Sequence, residues 1–291
     1  MRTDERPVVV GVDGSAPSLR AVDRAADEAV LRRVPLRVVY ASLWERYEGT
    51  ALVGDHKPAE EVRADDIVAV AARRARERRP ELAVSAEVVA EEPEYVLVRE
   101  GRGACVLVLG ARGRGSVREM LLGSVSLAVA AHAHCPVIVV RGDGDGSGAQ
   151  AHGPVVLGVG AHGKDAAAVR FAVAEARLHR VPLDAVRAWR CPARQSVAHP
   201  LLSGEPARLH EERAAEALEE ALADVPADVG LRRRTVEGPA RDVLLDASRD
   251  AGLLVVGARR THGNLGLQLG RVAHGVLHRA ACAVAVVPEP E

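Results

Sequence analysis

The sequence predicts an α/β protein made of two tandem doubly wound domains, each a five-stranded parallel sheet with helices on both faces. Three observations lead there. The chain of 291 residues repeats itself at a constant shift of 147, so that VVVGV at Val8 to Val12 falls on VVLGV at Val155 to Val159 and VLVLGAR at Val106 to Arg112 on LLVVGAR at Leu253 to Arg259. Within each copy, short β-branched runs alternate with longer stretches of helical periodicity, the pattern of βαβ units. Aromatic residues make up only 2% of the chain. The core must therefore be built from Val, Leu, Ile and Ala, as parallel sheets buried on both faces are.

In the first copy the pattern predicts strands over 7–12, 36–41, 84–90, 105–110 and 136–140, with helices over 18–33, 58–79, 93–101 and 124–134. Ser18 is positioned to cap the first helix, and Pro35 stops it before the second strand. The second copy repeats the strands over 154–159, 183–188, 229–236, 252–257 and 283–287. The shift also aligns VPL at Val34 with VPL at Val181, Gly123 with Gly270, and Cys135 with Cys282. Domains are expected over 1–141 and 154–291. Residues 142–153, rich in Gly, Asp and Ser, read as a solvated linker.

Composition narrows the function. With 39 basic and 40 acidic residues the formal net charge is −1, which argues against a protein that lives on nucleic-acid backbones. The run RRARERR, Arg73 to Arg79, ends an amphipathic helix, where cations complement the helix dipole, and reads as a solvated face. No stretch approaches the roughly 18 apolar residues that a membrane span needs, and MRTDERPVVVGVD lacks the apolar middle of a secretion signal. A cytoplasmic protein is expected. Cys105, Cys135, Cys191 and Cys282 include no CxxC pair and read as reduced thiols.

In a doubly wound sheet ligands bind outside the carboxyl ends of the strands, where strand order reverses. Attention falls on the segments after strands one and four. After strand four the chain reads GARGRGSVREMLLGSVS, with Gly110, Gly113 and then Gly123-Ser124 opening a helix. Glycine lets backbone approach a ligand closely, and a helix start offers unpaired N–H groups and a positive dipole end to phosphate. Ser124 and Ser126 add hydroxyl donors, and Arg112 and Arg114 add charge that can be directed at a polyphosphate. A glycine loop alone does not distinguish a structural from a phosphate-binding role; its position after strand four favours phosphate.

Gly110-x2-Gly113-x9-Gly123-Ser124, together with VVVGVDGS at Val8 to Ser15, resembles the ATP-binding pattern of the universal stress protein family in its tandem form, and the likeness covers the chain outside the linker. The resemblance implies an adenine-nucleotide α-hydrolase-like fold with strand order 3-2-1-4-5 and bound ATP with magnesium. It implies that Val12, Asp13 and Ala41 meet the adenosine, while Gly110, Gly113, Gly123, Ser124, Val125 and Ser126 surround the phosphates. Read alone, Asp13 is equally a turn-forming residue in VDGS. With Tyr40, Trp44 and Tyr47 the only aromatics near the second strand's end, adenine is expected against aliphatic walls and backbone.

The second copy departs from the pattern. Asp13 becomes Gly160, Gly113 becomes Arg260 and Ser124 becomes Arg271, while Gly257 and Gly270 remain. A degenerate, weak or empty nucleotide site is expected there, although its arginines keep an altered anion site open as an alternative. GVGAHGKD, Gly158 to Asp165, nearly spells a phosphate loop, but Asp165 stands where magnesium needs a hydroxyl. His132-Ala133-His134-Cys135 and His210-Glu211-Glu212 fall short of metal motifs, the first because residues two apart on a helix diverge, the second because Ala214 replaces a histidine. No nucleophile, base and orienting acid are grouped, and GxGxxG is absent after both first strands.

The expected function is an ATP-binding regulator or protector under stress, with hydrolysis at most slow. A phosphotransferase or adenylyl-transfer enzyme and a nucleotide-free scaffold are the alternatives. The resemblance further implies that CPVIVV at Cys135 to Val140 and CAVAVV at Cys282 to Val287 pair the two copies as an intrachain pseudo-dimer, and a homodimer of the whole chain is expected.

Overall fold

The computed structural model describes residues 6–43, 59–113, 122–141, 153–160, 166–191, 205–259 and 269–289. The chain forms two compact units, Met1–Gly146 and Ser147–Glu291. The expected linker lies outside the described residues except at Gly153.

The first unit runs β1 (Val8–Val12), α1 (Ala16–Arg32), β2 (Leu36–Ala41), α2 (Ala59–Arg78), β3 (Val84–Val89), α3 (Pro93–Glu100), β4 (Val106–Gly110), α4 (Ser124–His132) and β5 (Val137–Val140). Its strands lie in the order β3-β2-β1-β4-β5, all pairs parallel. This is the order that the resemblance implies. Val8, Val9 and Val10 of β1 are essentially sealed, as are Leu107 of β4 and Ile138 of β5. The face of α1 that meets the sheet is Ala21, Val22, Ala25, Ala26 and Ala29, all buried. Small side chains let this helix lie close to the strands, which is how an aromatic-poor core reaches dense packing.

One expectation about α1 is corrected. Its N-cap is Ser15, not Ser18: the Ser15 hydroxyl accepts from the Ser18 amide at 3.3 Å. Ser18 lies inside the first turn and donates its own hydroxyl back to the Ser15 carbonyl at 2.9 Å. Pro17 explains the earlier start, since proline is pre-organised for the first turn and its missing N–H costs nothing there. The helix ends on Arg33 in the left-handed conformation, φ 58°, and Arg180 repeats this in the second unit at φ 56°. Glycine is the usual residue at such a cap.

The second unit runs β6 (Val155–Gly158), α5 (Ala166–His179), β7 (Leu183–Trp189), α6 (Glu205–Ala221), β8 (Leu231–Glu237), α7 (Ala240–Ala247), β9 (Leu253–Arg259), α8 (Arg271–Arg279) and β10 (Ala283–Glu289). Its order, β8-β7-β6-β9-β10, is the same topology, again wholly parallel. Each sheet has an exposed outer strand, β3 and β8. Both carry charge on it, Glu87 in the first and Arg232, Arg233 and Arg234 in the second, which discourages edge pairing. No helix among the described residues is long and apolar enough to cross a membrane.

Candidate functional site

In the first unit β1 connects to β2 on one side, while β4, its neighbour on the other, connects to β5, so strand order reverses between β1 and β4. A cavity of about 460 Å³ opens at the carboxyl ends of these strands, within the size range of small-molecule sites. Gly11, Val12 and Asp13 line it from β1 and its exit, and Val39, Tyr40 and Ala41 line it from β2. Gly110, Arg112 and Gly113 follow β4, and Gly123, Ser124, Val125 and Ser126 supply the start of α4. Ten of the eleven residues singled out in the sequence thus meet in one cavity. The eleventh, Arg114, lies outside the described residues, as do Trp44 and Tyr47. Among the described residues Tyr40 is the aromatic residue that reaches the cavity.

Five further lining side chains are not among the sequence-derived site residues: Ser18, Val39, Pro93, Leu97 and Leu109. Leu97 and Leu109 stand so close over Gly11 that a Cβ there would meet them at 3.0 and 2.6 Å. They form an apolar wall with Val39. Periodicity marks Leu97 as a buried position of α3, but only the crossing of α3 over the strand ends turns that position toward the cavity.

The glycines of the motif have different reasons for being glycine. At Gly110 a Cβ would stand 2.7 Å from the Pro17 carbonyl carbon and oxygen and 2.9 Å from the Ser18 amide, so the start of α1 packs directly on this strand end. At Gly113 a Cβ would lie 2.7 Å from Oδ2 of Asp13. At Gly123 its contacts would be ordinary, 3.7 Å to the Ala111 carbonyl and 3.8 Å to Arg112 Cα and the Gly113 amide. Gly123 also has an extended backbone that any residue adopts, φ −75° and ψ 152°, and it caps α4 without a side-chain hydrogen bond. Neither its conformation nor its packing against the described residues asks for glycine at 123.

Polar groups fix the loop ends. The Gly123 amide donates to the Ala111 carbonyl at 2.8 Å. Ser126, buried, donates its hydroxyl to the Gly110 carbonyl at 2.7 Å, so this hydroxyl ties α4 to β4, whereas the sequence assigned it to phosphate. At the exit of β1, Oδ1 of Asp13 accepts from the Ser15 amide at 3.0 Å and from the Ser15 hydroxyl at 2.6 Å. One serine therefore caps α1 and orients a carboxylate at the end of β1.

The basic run is committed elsewhere in the same unit. Arg74 binds Asp23, Arg78 and Arg79 share Asp27, and Arg76 donates to the Val84 carbonyl at 3.0 Å. The hydrogen bond to Asp23 raises the Arg74 pKa above its usual value, and that to Asp27 does the same for Arg78. His132 and His134 are exposed on either side of the buried Ala133, with His132 Nδ1 2.8 Å from the Ala128 carbonyl. Among the described residues the four cysteines are thiols that form no disulfide. Burial pushes the Cys135 thiol up to about 12 and raises that of Cys105.

The second unit is arranged differently at the corresponding strand ends. Arg187 of β7, aligned with Tyr40, donates through Nη1 to the carbonyl of Gly160, aligned with Asp13. Arg271 opens α8 and is exposed, next to Gly270, where an added Cβ would have no atom of the described residues within 4 Å. Residues 161–165 of the near phosphate loop and Arg260 lie outside the described residues. The helix that such a loop would start is already capped: Glu289 of β10 accepts from the amides of Ala168 and Ala167 at 2.9 and 3.1 Å. A phosphate at this helix start would compete with a carboxylate held by the same donors.

The universal stress protein family model matches the chain twice, over residues 5–141 and 152–288. A universal stress protein of Mycobacterium tuberculosis strain H37Rv is 33% identical over 301 aligned residues, covering 96% of each chain. The crystal structure of a universal stress protein from Archaeoglobus fulgidus matches at a TM-score of 0.67 and 14% identity, covering 99% of this chain and 100% of that one, which bears on the fold. A universal stress protein from the same archaeon, solved in complex with dAMP, is 26% identical across 48% of this chain and 100% of its own, at a TM-score of 0.37. The chain belongs to the universal stress protein family, with two copies of the family's domain in tandem.

Proposed function

We propose that the first unit binds ATP, with magnesium, and that the chain acts in the cytoplasm as a nucleotide-responsive regulator or protector under stress. Gly123 carries this reading. It keeps a side chain out of the mouth of a cavity, at the uncapped start of α4, where neither packing nor backbone conformation needs a glycine. The amides of Ser124, Val125 and Ser126 then meet phosphate oxygens at the positive end of the helix, with Arg112 beside them. Val12, Asp13 and Ala41 meet the adenosine, and the base lies against Val39, Leu97 and the backbone. Magnesium, when bound with the nucleotide, supplies the charge that neutralises neighbouring phosphates.

Asp13, the carboxylate of the cavity, lies beside Gly113 and is already bonded to Ser15. Apart from Asp13, the described lining residues include no carboxylate or histidine to act as a base. Bound ATP is therefore a ligand whose unequal affinity for two states shifts their balance, and hydrolysis is slow. Pairing of the two copies through β5 and β10, and a homodimer of the chain, belong to the same reading. Calorimetry with magnesium and ATP tests it: binding at one site per chain, lost in Gly123→Val, supports the reading. Sustained multiple turnover would instead make the protein a phosphotransferase or adenylyl-transfer enzyme.

A further inference from the structure

We propose that Asp13 and Gly113 form a steric clasp. Asp13 is a positioning residue that sets how closely the chain leaving β4 lies against the end of β1, and glycine is required at 113 by Asp13 rather than by the ligand. This rests on the nucleotide reading only for what the clasp serves.

The argument begins with backbone conformation. Among the described glycines only Gly14 and Gly238 have positive φ, 77° and 151°; Gly113 has no conformational need to lack a side chain. Its need is spatial. An added Cβ would stand 2.7 Å from Asp13 Oδ2, and the next atom within reach is Asp13 Cγ at 3.8 Å. A lone carboxylate oxygen at the tip of a mobile side chain would swing away from such a contact. Asp13 is not mobile in that sense, because its other oxygen accepts from both the amide and the hydroxyl of Ser15. Ser15 is in turn held as the cap of α1 by the Ser18 amide. Rotating the carboxylate off Gly113 breaks the short Ser15 hydrogen bond and disturbs the helix start, so the cost of a side chain at 113 reaches the ligand cavity from both sides.

The second copy supplies an independent observation. The two positions that touch in the first unit both change in the second, as Ser124 does to Arg271: Asp13 aligns with Gly160, and Gly113 with Arg260. Once the carboxylate is gone, the residue at 113 is released to carry a side chain. Gly110, whose Cβ would strike backbone of α1 rather than Asp13, keeps its glycine as Gly257. At Asp13, Gly113 and Gly110, loss and retention follow the contacts.

A double-mutant cycle tests the clasp. Gly113→Ala in the wild-type background is expected to weaken ATP binding by about tenfold and to lower the thermal midpoint. In the Asp13→Gly background the same change is expected to alter affinity by less than about twofold and to leave the midpoint unmoved. Asp13→Asn keeps the shape without the charge, and there Gly113→Ala should still cost as much as in wild type, which separates steric contact from electrostatics. Equal costs of Gly113→Ala in the wild-type and Asp13→Gly backgrounds, by affinity and by midpoint, would overturn the proposal. If the wild-type chain binds no nucleotide, the nucleotide reading fails, and the midpoint cycle alone decides the clasp.

Discussion

Arg74 on α2 grips Asp23 on α1 with two hydrogen bonds, Nε to Oδ1 at 2.7 Å and Nη2 to Oδ2 at 2.6 Å. Asp23 is buried and the arginine half-exposed. A planar guanidinium meeting a carboxylate edge-on is the geometry in which an ion pair contributes to stability instead of being neutral. Arg74→Ala leaves Asp23 buried without this partner. The expected loss is about 1–2 kcal/mol in urea unfolding, discounted for the solvent around the arginine. Because Arg74, Arg78 and Arg79 are spent between helices, Arg76 on the Val84 carbonyl and Arg73 beside Glu77, duplex DNA added at low salt should produce no anisotropy change attributable to Arg73 to Arg79.

The glycines separate fold from ligand. Gly110→Ala forces a Cβ into α1 backbone at 2.7 Å and should cost about 1–3 kcal/mol, whether or not nucleotide is present. Gly123→Val should leave the thermal midpoint near wild type while ATP affinity falls by at least about tenfold, since its Cβ meets only ordinary contacts. Gly270→Val, at the matching position of the second unit, should leave calorimetric stoichiometry unchanged. A halved stoichiometry there would show that the second unit also holds nucleotide.

Glu289 should matter to the second unit in proportion to its two amide partners at the start of α5. Glu289→Ala removes the cap, at an expected cost of about 1–2 kcal/mol. Glu289→Gln, which can still accept, should cost less. Amides 167 and 168 should lose hydrogen-exchange protection in the alanine variant and not in the first unit's α1.

The Cys135 thiol, pushed up to about 12 by burial, gives a pH dependence of definite sign. The unfolded chain releases this proton near the ordinary cysteine value of about 8.5, while the folded protein keeps it. The folded state then binds more protons than the unfolded one, so stability falls as pH rises from about 8.5 toward 12. Cys135→Ala should flatten that part of the profile in chemical denaturation. The native thiol should also resist iodoacetamide at pH 8, because the thiolate is the reactive form.

How much was legible in the sequence follows from how local each cause is. The first strand is legible because Val8, Val9 and Val10 are apolar on both faces and only a fully buried strand accepts that. The end of α1 is legible from Pro35, whereas its start was misjudged by one serine, since Ser15 and Ser18 differ only in which hydroxyl faces which amide. Leu97 and Leu109 carry no mark of ligand contact, because an apolar wall and an apolar core look alike until the helix over them has an angle. The role of Ser126 as a tie to the Gly110 carbonyl is likewise invisible in a motif that reads it as a phosphate donor.

The sequence by itself determined the doubling and the order of strands and helices in each copy. These depend on periodicity and on repetition, which are properties of the chain taken in order. Tertiary structure alone decided why each glycine is there. Gly110 answers to α1, Gly113 to Asp13 and Gly123 to no close contact among the described residues, because the space around a Cα is set by segments distant in sequence that meet only when the sheet closes. It also decided that the start of α5 is capped by Glu289, a residue more than a hundred positions away, since unpaired amides at a helix start accept whichever carboxylate the fold brings within reach.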